Sequence, residues 1–130
     1  MAKKVLVVDD DRVIQTLLVV NLELEGYDVE TASDGEQALE KIASVHPDIV
    51  LLDIMMPKYD GWEVCRRAKA NRATADIPII FLSARAQDLD VRRGYELGVA
   101  AYMTKPFDPL ELMEVVKRVL AGEQILPAES

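Results

Sequence analysis

The sequence predicts an α/β domain with five parallel strands, and three observations carry that expectation. Short apolar runs alternate five times with segments of helical periodicity. The most apolar run, Ile49-Val50-Leu51-Leu52, is continuous rather than alternating, which suits a strand buried on both faces of a parallel sheet. A helical pattern separates each strand from the next, as right-handed βαβ crossovers require.

Lys3-Lys4-Val5-Leu6-Val7-Val8 reads as the first strand and stops at Asp9-Asp10-Asp11. Val13, Ile14, Leu17, Leu18, Leu22 and Leu24 recur at helical spacing, and Gly26 closes that helix like a C-cap. Tyr27–Thr31 alternates as an edge strand does, and a second helix follows Asp34-Gly35 with Ala38, Leu39, Ile42 and Ala43 on one face. Pro47 precedes the central strand, which runs into Asp53 and is broken by Met55-Met56-Pro57. Tyr59-Asp60-Gly61 opens a helix with Val64, Cys65 and Ala68 inward, and Ile77–Leu82 is the fourth strand, ending at Ser83. The fourth helix has a thin apolar face of Leu89, Val91, Tyr95 and Leu97, and Gly94 interrupts it at a cost of about 1 kcal/mol against Ala. Gly98 caps it. Ala100–Met103 is a short fifth strand leading into Thr104-Lys105-Pro106-Phe107, and Thr104 or Asp108 begins a last helix with Leu110, Leu112, Met113, Val116, Val119 and Leu120 as its apolar positions.

A chain of 130 residues fits one domain, expected over residues 1–122 with a tail or linker at 123–130. The single Cys65 forms no internal disulfide, which fits a reducing cytoplasm. No apolar run approaches the ~20 residues of a membrane span. The net charge of −8, without a basic cluster, argues against nucleic acid as a direct ligand.

With all strands parallel, their carboxyl ends share one edge, where ligands bind in open α/β sheets. That edge collects Asp9 and Asp10, Asp53, Ser83 and Lys105. Two carboxylates 4 Å apart repel by about 4 kcal/mol at an effective dielectric near 20, so a raised pKa, a lysine or a cation must offset them. Hard oxygen ligands of this kind suit Mg²⁺. A carboxylate can also attack phosphorus to give an acyl phosphate, with a metal, an ammonium and a hydroxyl neutralising the transferring group. The bland reading of the Asp run is helix capping, which Asp11 satisfies.

At these residues the sequence resembles the receiver domain of two-component response regulators, of the single-domain chemotaxis-regulator kind. The matching stretches are Val5–Asp11, Pro47–Pro57, Asp60-Gly61, Ile79–Ala84 and Tyr102–Phe107, in family order and spacing over roughly residues 3–121. The resemblance implies a doubly wound, flavodoxin-like sheet of order 2-1-3-4-5. It implies that Asp53 accepts phosphate from a sensor histidine kinase or phosphotransfer protein, as a phospho-acceptor with its own phosphatase activity rather than a turnover enzyme. Asp9 and Asp10 would hold Mg²⁺ with an Asp53 oxygen and the Met55 carbonyl. Ser83 and Lys105 would contact the phosphoryl group, Tyr102 would be the aromatic switch that follows Ser83, and the Lys105-Pro106 bond would be cis. Met55 and Arg85 match positions that tune phosphate lifetime, and their bulk is expected to screen the acyl phosphate from water.

Where many receivers carry an acidic pair after the glycine preceding the fifth strand, this chain reads Gly98-Val99-Ala100-Ala101. That departure disfavours the salt-bridged dimer of the transcription-factor subfamily. It leaves a more apolar face on the fourth helix, fifth strand and fifth helix for an unknown downstream protein, with the chain a monomer or a weak phosphorylation-dependent dimer. Too few residues follow Ala121 for a DNA-binding module, which suits a single-domain regulator or a receiver cut from a longer chain. The alternative function is a non-phosphorylated pseudo-receiver that only docks proteins, which would lack the acceptor, the acidic pair or the lysine. A flavodoxin-type cofactor site would need a phosphate loop where Asp9-Asp10-Asp11 stands. A dehalogenase-type phosphatase would need a second Asp where Met55 stands, and no P-loop motif exists.

Overall fold

A computed structural model describes residues 2–127. The elements run β1 (Lys4–Val8), α1 (Arg12–Leu24), β2 (Asp28–Ala32), α2 (Gly35–Val45), β3 (Ile49–Asp53), α3 (Gly61–Ala70), β4 (Ile79–Ser83), α4 (Asp88–Glu96), β5 (Ala101–Thr104) and α5 (Pro109–Leu120). The strands form one parallel sheet of order β2-β1-β3-β4-β5, the order the family resemblance implied. Successive residues of β1, β3 and β4 point to opposite faces, so each strand feeds two cores. Leu6, Val8, Val50, Leu52, Ile79 and Phe81 meet the helices α2 and α3, while Val5, Val7, Ile49, Leu51, Ile80 and Leu82 meet α1 and α5. That double burial is why the Ile49–Leu52 run has no polar alternation.

Aspartate side chains cap four of the five helices. Asp11 accepts from the amides of Val13 and Ile14, Asp34 from Gln37, Asp60 from Glu63 and Asp108 from Leu110. Each such cap is worth about 1 kcal/mol. The last helix therefore begins after Asp108, with Pro109 in its first turn, and not at Thr104. Helix α4 has no side-chain cap and buries only Gly94, so it is the least anchored helix.

Several expected core positions lie at the surface. Val13, Leu24, Leu89 and Leu110 are between 73% and 80% exposed, and Ala43 is exposed too. On α1 the reason is geometric. Leu18 and Leu22, one turn apart, face the sheet, whereas Val13, Leu17, Val20 and Leu24 form a second stripe facing outward. Cys65 is a buried thiol, pushed up to about 11 by burial.

Beyond α5 the chain folds back along the start of β5. The Ile125 amide donates to the Ala100 carbonyl at 2.7 Å, the Gln124 side chain donates to Val99 at 3.2 Å, and the Tyr95 hydroxyl donates to the Ile125 carbonyl. The stretch expected as tail or linker is thus tied to the domain as far as Ile125; Leu126 and Pro127 are exposed, and 128–130 lie outside the described residues.

Candidate functional site

Register brings the site together. Val8 pairs with Leu52, Asp53 with Leu82 and Ser83 with Thr104, so Asp9, Asp53, Ser83 and Lys105 emerge within a step of one another. Strand β3 ends in Asp53 itself, and the backbone then turns sharply because Gly61 donates its amide to the Ile54 carbonyl at 2.7 Å. A Cβ at Gly61 would lie 2.5 Å from the Asp53 carbonyl oxygen, so only glycine lets α3 start this close to Asp53.

Asp9 and Asp53 are 1% and 6% exposed, and Asp10 stands open to solvent beside them. One carboxylate oxygen from each lies within 4.8 Å of the others. The Lys105 ammonium donates to Asp9 Oδ2 at 2.8 Å and sits 3.5 Å from Asp53 Oδ1. Burial pulls the Lys105 pKa down, but the hydrogen bond to Asp9 and the charges of Asp53 and Asp9 outweigh it, and the ammonium is held above its ordinary range. Asp53 is raised as well, which for an acid favours the neutral form. Burial first, then the neighbouring Asp9 charge, push it from 3.8 up to about 6 despite Lys105.

Three carboxylates facing one ammonium leave two negative charges uncompensated when all are ionised. One divalent cation matches that charge. The donors are oxygens only, they converge from two strand ends, and Asp10 opens the site to water, all of which suits an ion that keeps several waters.

The fully buried Ser83 hydroxyl accepts the Arg85 amide at 3.0 Å, a bond that does not use its own proton. Tyr102 is half-buried, its ring edge-on to Phe81 at 5.9 Å and its hydroxyl donating to the Arg85 carbonyl at 2.6 Å. Tyr102 is thereby tied to the segment that follows Ser83. Met55 is 59% exposed at the mouth of the site, and Arg85 reaches across with Nη1 3.9 Å from its sulfur while its Nε holds Asp90 at 3.1 Å. The Lys105-Pro106 bond is cis.

Gly94 reads in the sequence only as a weak point of α4. A Cβ there would lie 2.8 Å from the Tyr102 ring and 3.2 Å from Phe81, so this glycine is what makes room for Tyr102. Gly94→Ala is expected to destabilise the chain by roughly 1–2 kcal/mol, although helix propensity alone favours Ala by about 1 kcal/mol. Urea unfolding reads the difference, and a stabilised variant would contradict the packing account. Gln15 is a second contributor that no sequence pattern marks; its amide reaches the Asp9 carbonyl.

The sheet and this edge define a class of protein: an open parallel α/β domain that presents an acidic trio, a hydroxyl and a lysine at one topological switch point. Residues 5–117 match the model of the response regulator receiver domain, and the chain belongs to that family. It is 48% identical over 130 residues to the alkaline phosphatase synthesis transcriptional regulatory protein PhoP of Bacillus subtilis, a match over 100% of this chain and 53% of that protein. It is 40% identical over 124 residues to the DNA-binding dual master transcriptional regulator RpaA of Synechocystis, covering 95% of this chain and 52% of that one. The chain spans about half the length of these curated relatives. Among solved structures it is similar to the chemotaxis response regulator CheY4 of Vibrio cholerae, with a TM-score of 0.86 at 31% identity over 92% of this chain and 99% of that one. A receiver domain protein of Methanospirillum hungatei gives 0.87 at 31% identity, over 93% and 95% of the two chains.

Proposed function

We propose that this domain is a phosphorylation-dependent switch of a two-component relay, with Asp53 as the acceptor. The observation that carries the reading is the convergence on Asp53 of the Lys105 ammonium and the Asp9 and Asp10 carboxylates. An Asp53 oxygen attacks the phosphorus of a phosphohistidine, the phosphorus–nitrogen bond breaks, and the imidazole leaves with the electron pair. Lys105 compensates charge on one phosphoryl oxygen and Ser83 donates its proton to another. Asp9, Asp10, Asp53 and the Met55 carbonyl would hold Mg²⁺, which when bound would supply Lewis-acid neutralisation of the transferring charge. Drawing Ser83 toward the phosphate moves the segment to which Tyr102 is bonded, and the α4–β5–α5 face changes with it. A pseudo-receiver should lack one of these groups, and all are present.

The donor is a histidine kinase or phosphotransfer protein. The outward stripe of α1 supports docking of a helical partner there, next to a cleft lined by Ile14, Leu17, Ala84, Lys105, Pro106 and Phe107 beside the site. No helix among the described residues is long and apolar enough to cross a membrane. A cytoplasmic setting is part of the proposal and fits the reduced Cys65.

Incubation with acetyl phosphate and Mg²⁺ should give one phosphoryl adduct by intact mass. No adduct with any of several small donors would overturn the reading. Screening by Met55 and Arg85 predicts that Met55→Asn shortens the adduct lifetime by roughly threefold to tenfold, about 1 kcal/mol of barrier. Equal decay rates would count against that role.

A further inference from the structure

Gln15 lies in the first turns of α1, half-buried, behind the acidic loop. Its side-chain nitrogen is 2.5 Å from the Asp9 carbonyl oxygen, 3.1 Å from the Ala32 carbonyl oxygen and 3.1 Å from the Ser33 hydroxyl. Two of these partners only accept, so the NH₂ end of the amide faces the sheet edge. The Ala32 carbonyl also accepts the Asp9 amide at 3.1 Å. Both backbone polar groups of Asp9 are therefore engaged, and Gln15 ties the end of β1 to the end of β2 at this residue.

The consequence falls on Asp10. The Asp9 carbonyl and the Asp10 nitrogen share one rigid peptide plane, so holding the carbonyl sets the direction in which Asp10 leaves the strand. The Asp9 carboxylate has other supports, the Asp11 amide at 2.9 Å and Lys105 at 2.8 Å. Among the described residues the Asp10 carboxylate accepts no hydrogen bond, so nothing grips its side chain directly. Its place in the trio depends on the backbone below it.

We infer that Gln15 is a positioning residue for a divalent cation: it keeps Asp10 converging with Asp9 and Asp53 by clamping the peptide between the two acids. This rests on the reading that the acidic trio holds Mg²⁺. Groups that orient metal ligands without touching the ion are worth roughly tenfold or more in affinity. The competing role is purely structural, a tie between β1 and β2 that raises stability and leaves ion binding alone.

The test titrates Mg²⁺ calorimetrically into the metal-free chain and into Gln15→Met, which keeps the length and loses the donors. Affinity is expected to fall about tenfold. In ¹⁵N-resolved spectra the Asp10 amide should shift, while those of Val64 and Leu112 on distant helices stay in place. Gln15→Asn, a methylene shorter and so drawn back from the carbonyls, should show the same loss and serves if the Met variant does not fold. Ser33→Ala removes one acceptor but leaves the Asp9 clamp, and should bind within about twofold of wild type. A Gln15→Met chain that melts lower yet binds Mg²⁺ within twofold, with an unmoved Asp10 amide, overturns the inference and leaves the trio standing. A wild-type chain that binds no Mg²⁺ at millimolar concentration overturns the reading of the trio and the inference with it.

Discussion

Asp53→Asn is expected to take up no phosphoryl group and, in metal-free buffer near neutral pH, to unfold at a higher temperature than the wild-type chain. The loss of uptake follows from the loss of the nucleophilic oxygen pair. The gain in stability follows from the raised pKa, about 6 against an ordinary 3.8. Between those values the folded chain holds a proton that the unfolded chain has released, so stability falls as pH rises through the window and stays low above it. A shift of about two pH units corresponds to ~3 kcal/mol in full, and solvent at the open side of the site leaves about 1–2 kcal/mol of it. Asparagine carries no charge to repel Asp9, so its melting temperature should exceed wild type by roughly 3–8 °C at neutral pH. The gap should close as pH falls through the same window. Thermal melts across that range read both slopes; a variant no more stable than wild type at neutral pH would contradict the electrostatic account.

Removing divalent cation, or replacing Asp10 by Ala, is expected to slow phosphoryl uptake from acetyl phosphate by at least about 100-fold, some 2.7 kcal/mol of barrier. Lys105 alone does not neutralise the trio, so the transferring group would approach a net negative site. Asp10 separates this effect from folding, because its exposed side chain accepts no hydrogen bond among the described residues and its removal should cost the fold little. Ion and proton compete for the same carboxylates. Added Mg²⁺ should therefore raise the melting temperature near neutral pH, and do so weakly below the Asp53 pKa. Uptake that persists at full rate in excess chelator would contradict the role of the acidic pair.

The parts of this molecule that read directly from the sequence are those in which one physical demand dominates. Ile49–Leu52 is apolar throughout because both sides of β3 are buried, and Asp53 stands out against it. Asp11 read correctly as a cap because a side-chain oxygen before a helical run has few other uses, whereas the start of α5 was open between Thr104 and Asp108 until the structure placed it after Asp108. Helix faces were harder to read. Apolar residues on α1 divide between a buried pair, Leu18 and Leu22, and an exposed stripe, and periodicity alone does not separate a core face from a docking face. Leu89 and Leu110 fit helical spacing yet lie outside. Gln15 and Gly94 were illegible for a different reason. Each acts through a contact between elements, Gln15 through the Asp9 and Ala32 carbonyls and Gly94 through the Tyr102 and Phe81 rings, so their value exists only once the sheet has closed.

The most direct test of the central claim is to locate the phosphoryl group. The chain is incubated with acetyl phosphate and Mg²⁺, treated with borohydride, which reduces an acyl phosphate of aspartate to homoserine, and mapped by peptide mass spectrometry. Homoserine at position 53, absent without Mg²⁺ and absent from Asp53→Asn, is the predicted result. Labelling at Asp9 or Asp10 with residue 53 unmodified, or phosphate stable to borohydride on a hydroxyl, would contradict it.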